Sequence, residues 1–271
     1  MTTMALHPVM FRSLWAYRGF VLGAVRREFQ ARYRGSLLGG LWAVLNPLAM
    51  IAVFTLIFSQ VIGARLPGNA GGPFSYSVHL CAGLLPWNFF AELVARLNSV
   101  FIANGNLIKK SSFPRICLPT IALLSTLINF TIIFALYLVF LALIGALPGA
   151  ALLAFPAVLA IQIAFALGLG VLLGTLNVFF RDVGQFTGVL LQFWMWFTPI
   201  IYTINVLPER LRGLIGFNPM APLTLAYQGI FSSQAFPDWG SLLYPTAFAL
   251  FFLALGGLTF VRLSGEIVDE L

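Results

Sequence analysis

The chain has 271 residues, of which 60% are hydrophobic and 8% charged, against roughly 25% charged in an ordinary soluble domain. So few charges exclude a water-soluble fold of this size, and the long apolar runs place the chain among α-helical membrane proteins rather than barrels. The net charge of +7 does not point to nucleic acid, because the basic residues cluster beside apolar runs, where membrane topology explains them.

The first element expected is a helix over residues 9–34. Phe11, Leu14, Trp15, Val21, Leu22, Val25 and Phe29 share one arc of a helical projection, and Arg12, Arg26, Arg27 and Arg34 share the other. That is the pattern of a helix lying in the membrane interface. Arg18 and Arg32 break it, although long arginine stems can snorkel to headgroups. The arginines also interrupt any hydrophobic core of a cleavable signal peptide.

Residues 41–63 carry no charge and run into the turn-rich stretch Leu66-Pro67-Gly68-Asn69, so they form the first expected span. The second is 78–104. No charged residue lies between Arg115 and Arg181, and one helix of that length would reach roughly 98 Å. The run must fold back, and Ala146-Leu147-Pro148-Gly149 is the place for the turn, giving spans 116–146 and 151–179. Spans 183–206 and 239–261 follow. Residues 207–238 are expected on the outer side without crossing, because Asn218-Pro219 and Ala221-Pro222 leave Leu223 to Phe236 too short to span.

The expected fold is thus an all-α integral membrane protein, a single transmembrane domain over 1–271. It has six transmembrane helices, an N-terminal interfacial amphipathic helix and a re-entrant segment between the fifth and sixth helices. With both termini cytoplasmic, Arg12, Arg18, Arg26, Arg27, Arg32, Arg34, Lys109, Lys110, Arg115, Arg181 and Arg262 fall inside and only Arg65, Arg210 and Arg212 outside, as the positive-inside rule requires. Cys81 and Cys117 then lie near opposite faces, too far apart to bond.

No catalytic set and no metal-ligand set emerges. HExxH and GxSxG patterns are absent, and His7 and His79 stand alone in a tail and near an outer helix end. The stretch Gly105-Asn106-Leu107-Ile108-Lys109-Lys110-Ser111 lacks the glycine and spacing of a phosphate loop, so the chain is expected to bind no ATP and no other cofactor. Glu92 and Arg96, at i and i+4 inside a span, are expected to pair or to face a wet interior. Trp42, Trp87, Phe89, Phe90, Phe193, Trp194, Trp196, Phe197 and Tyr202 are candidates for interface belts, interhelical packing or a conduit along which a sugar slides. Gly35-x-x-x-Gly39, Gly170-x-x-x-Gly174 and Gly184-x-x-x-Gly188 permit close helix approach.

Several stretches resemble the ABC type-2 permease family, in the branch that exports O-antigen, capsule and teichoic acid. They are Tyr33-Arg34-Gly35-Ser36-Leu37-Leu38-Gly39 leading to Leu41-Trp42 and Leu45-Asn46-Pro47, then Gly83-Leu84-Leu85-Pro86-Trp87-Asn88-Phe89-Phe90 and Asn106-Leu107-Ile108-Lys109-Lys110. Phe113-Pro114-Arg115, Asn177-Val178-Phe179-Phe180-Arg181-Asp182-Val183, Phe197-Thr198-Pro199-Ile200-Ile201-Tyr202 and Asn218-Pro219 complete the set. The resemblance implies a homodimer in the bacterial inner membrane, two copies of a separate ATP-binding cassette subunit carrying ATP and Mg, and a conduit for an undecaprenyl-diphosphate-linked polysaccharide. It also implies that the loop 105–118 acts as a coupling element.

The residues support that implication. Leu107, Ile108 and Phe113 are apolar in a short loop and suit a plug entering a groove on a partner, with Pro114 restricting Phe113. Lys109, Lys110 and Arg115 can steer docking or serve topology alone. Arg32 and Arg34 are candidate contacts for a pyrophosphate headgroup. The alternatives are a type-2 exporter of a drug or small lipid and, outside transport, a membrane glycan-modifying enzyme.

Overall fold

The computed structural model describes residues 14–33, 74–110, 113–204 and 208–271, with a few isolated positions between 41 and 53. Among the described residues the regular structure is entirely helical. The helices are α1 (Arg18–Tyr33), α2 (Ser75–Ala103), α3 (Gly105–Lys110), α4 (Cys117–Leu143), α5 (Phe155–Phe179), α6 (Asp182–Phe197), α7 (Glu209–Gly216), α8 (Met220–Gln228), α9 (Leu243–Leu263) and α10 (Ile267–Glu270). A 3-10 turn, Ala150–Ala154, leads into α5, and a π turn, Gly229–Ser233, follows α8.

Among the described residues, four helical stretches are long and apolar enough to cross a membrane: Ser75–Ala103, Cys117–Leu143, Ala150–Phe179 and Leu243–Leu263. The expected first span, 41–63, lies mostly outside the described residues. The expected fifth, 183–206, is helical only over Asp182–Phe197. Its stop is local, since Pro199 disfavours helical backbone in the residue before it, and Thr198 is extended at φ −100° and ψ 130°.

The most enclosed helix is α2, with Cys81, Phe90, Leu93, Val94, Leu97 and Phe101 wholly buried. Cross-bonds fix its neighbours' directions. The Tyr137 hydroxyl donates to the Val78 carbonyl (2.9 Å) and the Asn129 amide to Glu92 Oε2 (3.2 Å), so α4 is antiparallel to α2. Gln162 Nε2 donates to the Pro86 carbonyl (2.7 Å) and Asn177 Nδ2 to the Asn98 carbonyl (2.9 Å), so α5 is parallel to it.

Small residues set the closest approaches. A Cβ added at Gly170 would stand 2.7 Å from Leu97 Cβ, and one at Gly174 would overlap the Leu97 carbonyl oxygen. That Gly-x-x-x-Gly pair therefore seats α5 on α2, as glycine spacing permits in membranes. A second contact follows no such spacing: Gly168 of α5 and Gly256 of α9 meet backbone to backbone, with no room for a side chain at either. Nothing lies within 4 Å of a Cβ at Gly188, so Gly184-x-x-x-Gly188 makes no comparable contact.

The described part of the chain between α6 and α9 packs back on the bundle. It reaches the Ser75 end of α2, where the Tyr76 hydroxyl donates to the Ile201 carbonyl (2.6 Å). It returns to mid-bundle at Asn218, and α8 then climbs back. Tyr227 packs on Phe155 (5.7 Å between ring centroids) and Phe231 on Tyr137 (5.4 Å). Gln234 Nε2 donates to the Leu147 carbonyl (3.2 Å) in the α4–α5 turn. An Asp238 turn, with Gly240 N donating to its Oδ1 (3.0 Å), opens α9.

Candidate functional site

At the Ala103 end of α2, the short helix α3 and the segment from Phe113 form the predicted coupling element. Six residues cannot hold a helix in water, so α3 is held by packing. Ile108 is buried in the main core, with Leu107 and Phe113 packed against it in part. Phe113 also packs against Phe20 of α1, with ring centroids 5.3 Å apart and the planes tilted by 42°. Ile108 turns into the chain's own core, and among the described side chains of α3 Asn106 and Lys109 are exposed. Pro114 and Arg115 lie half-buried in the turn that opens α4, where Cys117 N donates to the Pro114 carbonyl (2.9 Å). Lys110 closes α3.

Helix α1 runs beside α4. Val21 and Val25 bury against Cys117 and Ile121, whereas Trp15, Leu22 and Phe29, expected on the same apolar arc, are exposed. The packed face is narrower than the arc because one neighbouring helix covers only part of it. Arg32 lies in the last turn of α1, and Arg34 lies outside the described residues.

Glu92 and Arg96 do meet, yet not as an isolated pair. Arg96 Nη2 lies 2.5 Å from Glu28 Oε2 of α1, and Arg96 Nη1 lies 3.9 Å from Glu92 Oε1. With Asn129 on Glu92, the guanidinium ties α1, α2 and α4 into one polar cluster beside a cleft of about 330 Å³. Glu28 was missed in the sequence. Its signal was visible, for it is the sole acid of residues 9–34.

The candidate aromatics divide in two. Trp87, Phe89 and Phe90 are buried and serve packing: Phe90 lies 5.3 Å from Phe165 and 5.5 Å from Trp194, and Phe89 lies 4.8 Å from Phe130. Phe193, Trp196 and Phe197 are more than half exposed and continue an α6 stripe begun by Phe186 and Val189, at the i, i+3, i+7 spacing of one helix face. The Tyr202 hydroxyl donates back to the Trp196 carbonyl (2.8 Å). Trp42, among the isolated described positions, is exposed.

Asn218 joins the two halves of this region. Its Oδ1 accepts from Trp194 Nε1 (2.7 Å) and Met220 N (2.9 Å), and its Nδ2 donates to the Phe197 carbonyl (3.0 Å) and Thr198 Oγ1 (3.0 Å). A single amide thereby satisfies the end of α6 and the start of α8 where Pro199 and Pro219 break the helices. Farther along α8, the Tyr227 hydroxyl donates to Gln162 Oε1 (2.6 Å), and Gln228 Nε2 approaches the Pro199 and Ile200 carbonyls (3.2 Å each).

The sequence that builds this bundle matches a known family model. The model described as ABC-2 type transporter covers residues 21–234. The chain belongs to the ABC-2 type transporter family. The chain is 36% identical over 231 residues to an O-antigen export system permease protein RfbA of Myxococcus xanthus, covering 84% of this chain and 86% of that protein. It is 32% identical over 228 residues to a protein of the same name from Klebsiella pneumoniae, with 83% and 85% covered. A second Klebsiella pneumoniae protein of that name is 31% identical over 233 residues, with 84% and 86% covered. The ABC-2 match begins inside α1 and ends at Gln234, so it takes in the Arg96 cluster, the coupling element, the α6 stripe and Asn218.

Proposed function

We propose that this chain is the permease subunit of an ABC exporter that carries lipid-linked polysaccharide of the O-antigen type across the bacterial inner membrane. Its membership of the ABC-2 family, with relatives named as O-antigen export permeases over more than four fifths of its length, carries this reading. The subunit is a transporter component and not an enzyme. It works as a homodimer with two ATP-binding cassette subunits, which hold the ATP and Mg.

In this reading six spans cross the membrane, residues 41–63 and α6 joining the four long helices, with both termini cytoplasmic. The segment 207–238 is re-entrant from the outer side, which its return to the α4–α5 turn supports. Backbone broken at membrane depth is tolerated there because Asn218, Gln162 and Gln228 satisfy it from within the protein. The exposed aromatic face of α6 lines the conduit, where ring faces let sugars pass without fixed hydrogen bonds. Arg32 and Arg34, near the inner surface, contact the pyrophosphate of the carrier lipid. The coupling element 105–118 receives the partner's motion.

Deletion of the gene in its own host tests the reading. Surface polysaccharide should vanish while lipid-linked polymer accumulates on the inner face, and the intact gene should restore export. Unchanged surface polymer in the deletion strain would overturn the proposal.

A further inference from the structure

The end of the chain returns to the coupling helix. Immediately after α9, the short helix α10 packs on both α3 and α5. Ile267 is completely buried, and Val268 and Leu271 pack against the main core. Leu271 lies over Gly105, the first residue of α3, so that a Cβ at Gly105 would stand 3.7 Å from the Leu271 Cβ. A cleft of about 190 Å³ beside this contact is lined by Lys109, Arg181 and Glu270, among others. These three charges are exposed, where solvent screens them. The apolar pegs carry the contact.

We propose that segment 266–271 is a brace for the coupling helix, and that Ile267 and Leu271 are positioning residues for energy transfer from the ATP-binding subunit. The proposal rests on the reading of α3 as a coupling element. A six-residue helix passes a push to the bundle only as far as it is rigidly attached. Ile108 attaches α3 on one side, and its link to α2 is a single turn at Asn104. The brace attaches it on the other side, to α5 directly and to α9 through the chain. Motion delivered at α3 then moves three helices together. Without the brace, α3 pivots at Asn104 and the partner's stroke is lost.

The contact can be locked and broken. A 3.7 Å separation of Cβ positions falls within the disulfide range of about 3.5–4.5 Å, and the native Cys81 and Cys117 are both buried. In a background with both replaced by alanine, Gly105→Cys with Leu271→Cys should cross-link on oxidation in native membranes, and the locked permease should still export with its partner. Leu271→Asp should retain membrane insertion, partner binding and ATP hydrolysis, while polymer exported per ATP falls roughly tenfold, the factor corresponding to loss of an apolar contact worth about 1.4 kcal/mol. Leu271→Met should restore the ratio. Absence of the cross-link, loss of export on locking, or a normal ratio in Leu271→Asp would overturn the brace. Should Leu271→Asp fail to insert, the cross-linked variant decides alone. Phe113→Asp separates the two readings: normal export in both aspartate variants rejects the coupling element itself, whereas loss in Phe113→Asp alone rejects only the brace.

Discussion

Replacing Asn218 by alanine removes four hydrogen bonds at one stroke. The side chain is 8% exposed, so water cannot replace it. Within membrane bundles a hydrogen bond contributes about 0.6 kcal/mol on average, which sets a floor near 2 kcal/mol for the four. The two donors left behind, Trp194 Nε1 and Met220 N, each cost about 1–3 kcal/mol when buried without a partner. The expected loss is therefore about 2–5 kcal/mol, or a fall in Tm of roughly 5–15 °C for a chain of this length. Thermal unfolding of the purified permease in detergent, followed by tryptophan fluorescence, measures it. Trp194→Phe removes one of the stranded donors, so Asn218→Ala with Trp194→Phe should cost less than the sum of the single variants. A Tm unchanged by Asn218→Ala, or strict additivity of the pair, would refute the role given to this amide.

Gly256→Val should lower folded yield sharply, because its side chain would meet the Gly168 backbone and not a movable side chain; fluorescence-detected size exclusion reads this directly, with Gly257→Val, where nothing lies within 4 Å, as the control. Arg96→Ala should reduce membrane yield more than Arg96→Ala combined with Glu28→Gln and Glu92→Gln, since the single change leaves two carboxylates facing one another without their shared cation; equal yields would remove the cluster from the account. Single cysteines at Ser233 and Ser264 should react with impermeant reagent from opposite sides of the membrane, and labelling of both from one side would reject a non-crossing 207–238.

The all-helical fold class and the four long apolar helices are legible in the sequence because hydrophobic length and turn residues are local signals. Pro148-Gly149 marks the α4–α5 turn, and Asn218-Pro219 marks a helix break. Information that depends on a second element is not legible in the same way. Glu28 and Arg96 are 68 residues apart, and no periodicity links them. The Gly168–Gly256 contact joins one glycine from each of two helices, so no Gly-x-x-x-Gly pattern marks it. Ile108 and Phe113 read as exposed because a short polar-flanked loop is usually wet, yet α1 and the core cover them. Which of the candidate aromatics face the core and which face outward depends on how α2 and α6 are turned against their neighbours, a tertiary property that no local pattern records.

On the proposed function, the chain moves a lipid-linked polymer only when another subunit supplies ATP. Proteoliposomes holding the purified chain, with and without an ATP-binding cassette subunit from the same host, measure this. The donor is undecaprenyl-diphosphate-linked polysaccharide, and translocation is read as a change in its exposure to added glycosidase. The account predicts translocation that requires ATP and both subunits, with no ATP hydrolysis by the chain alone. Polymer movement of equal extent without the ATP-binding subunit, or ATPase activity in the isolated chain, would contradict it.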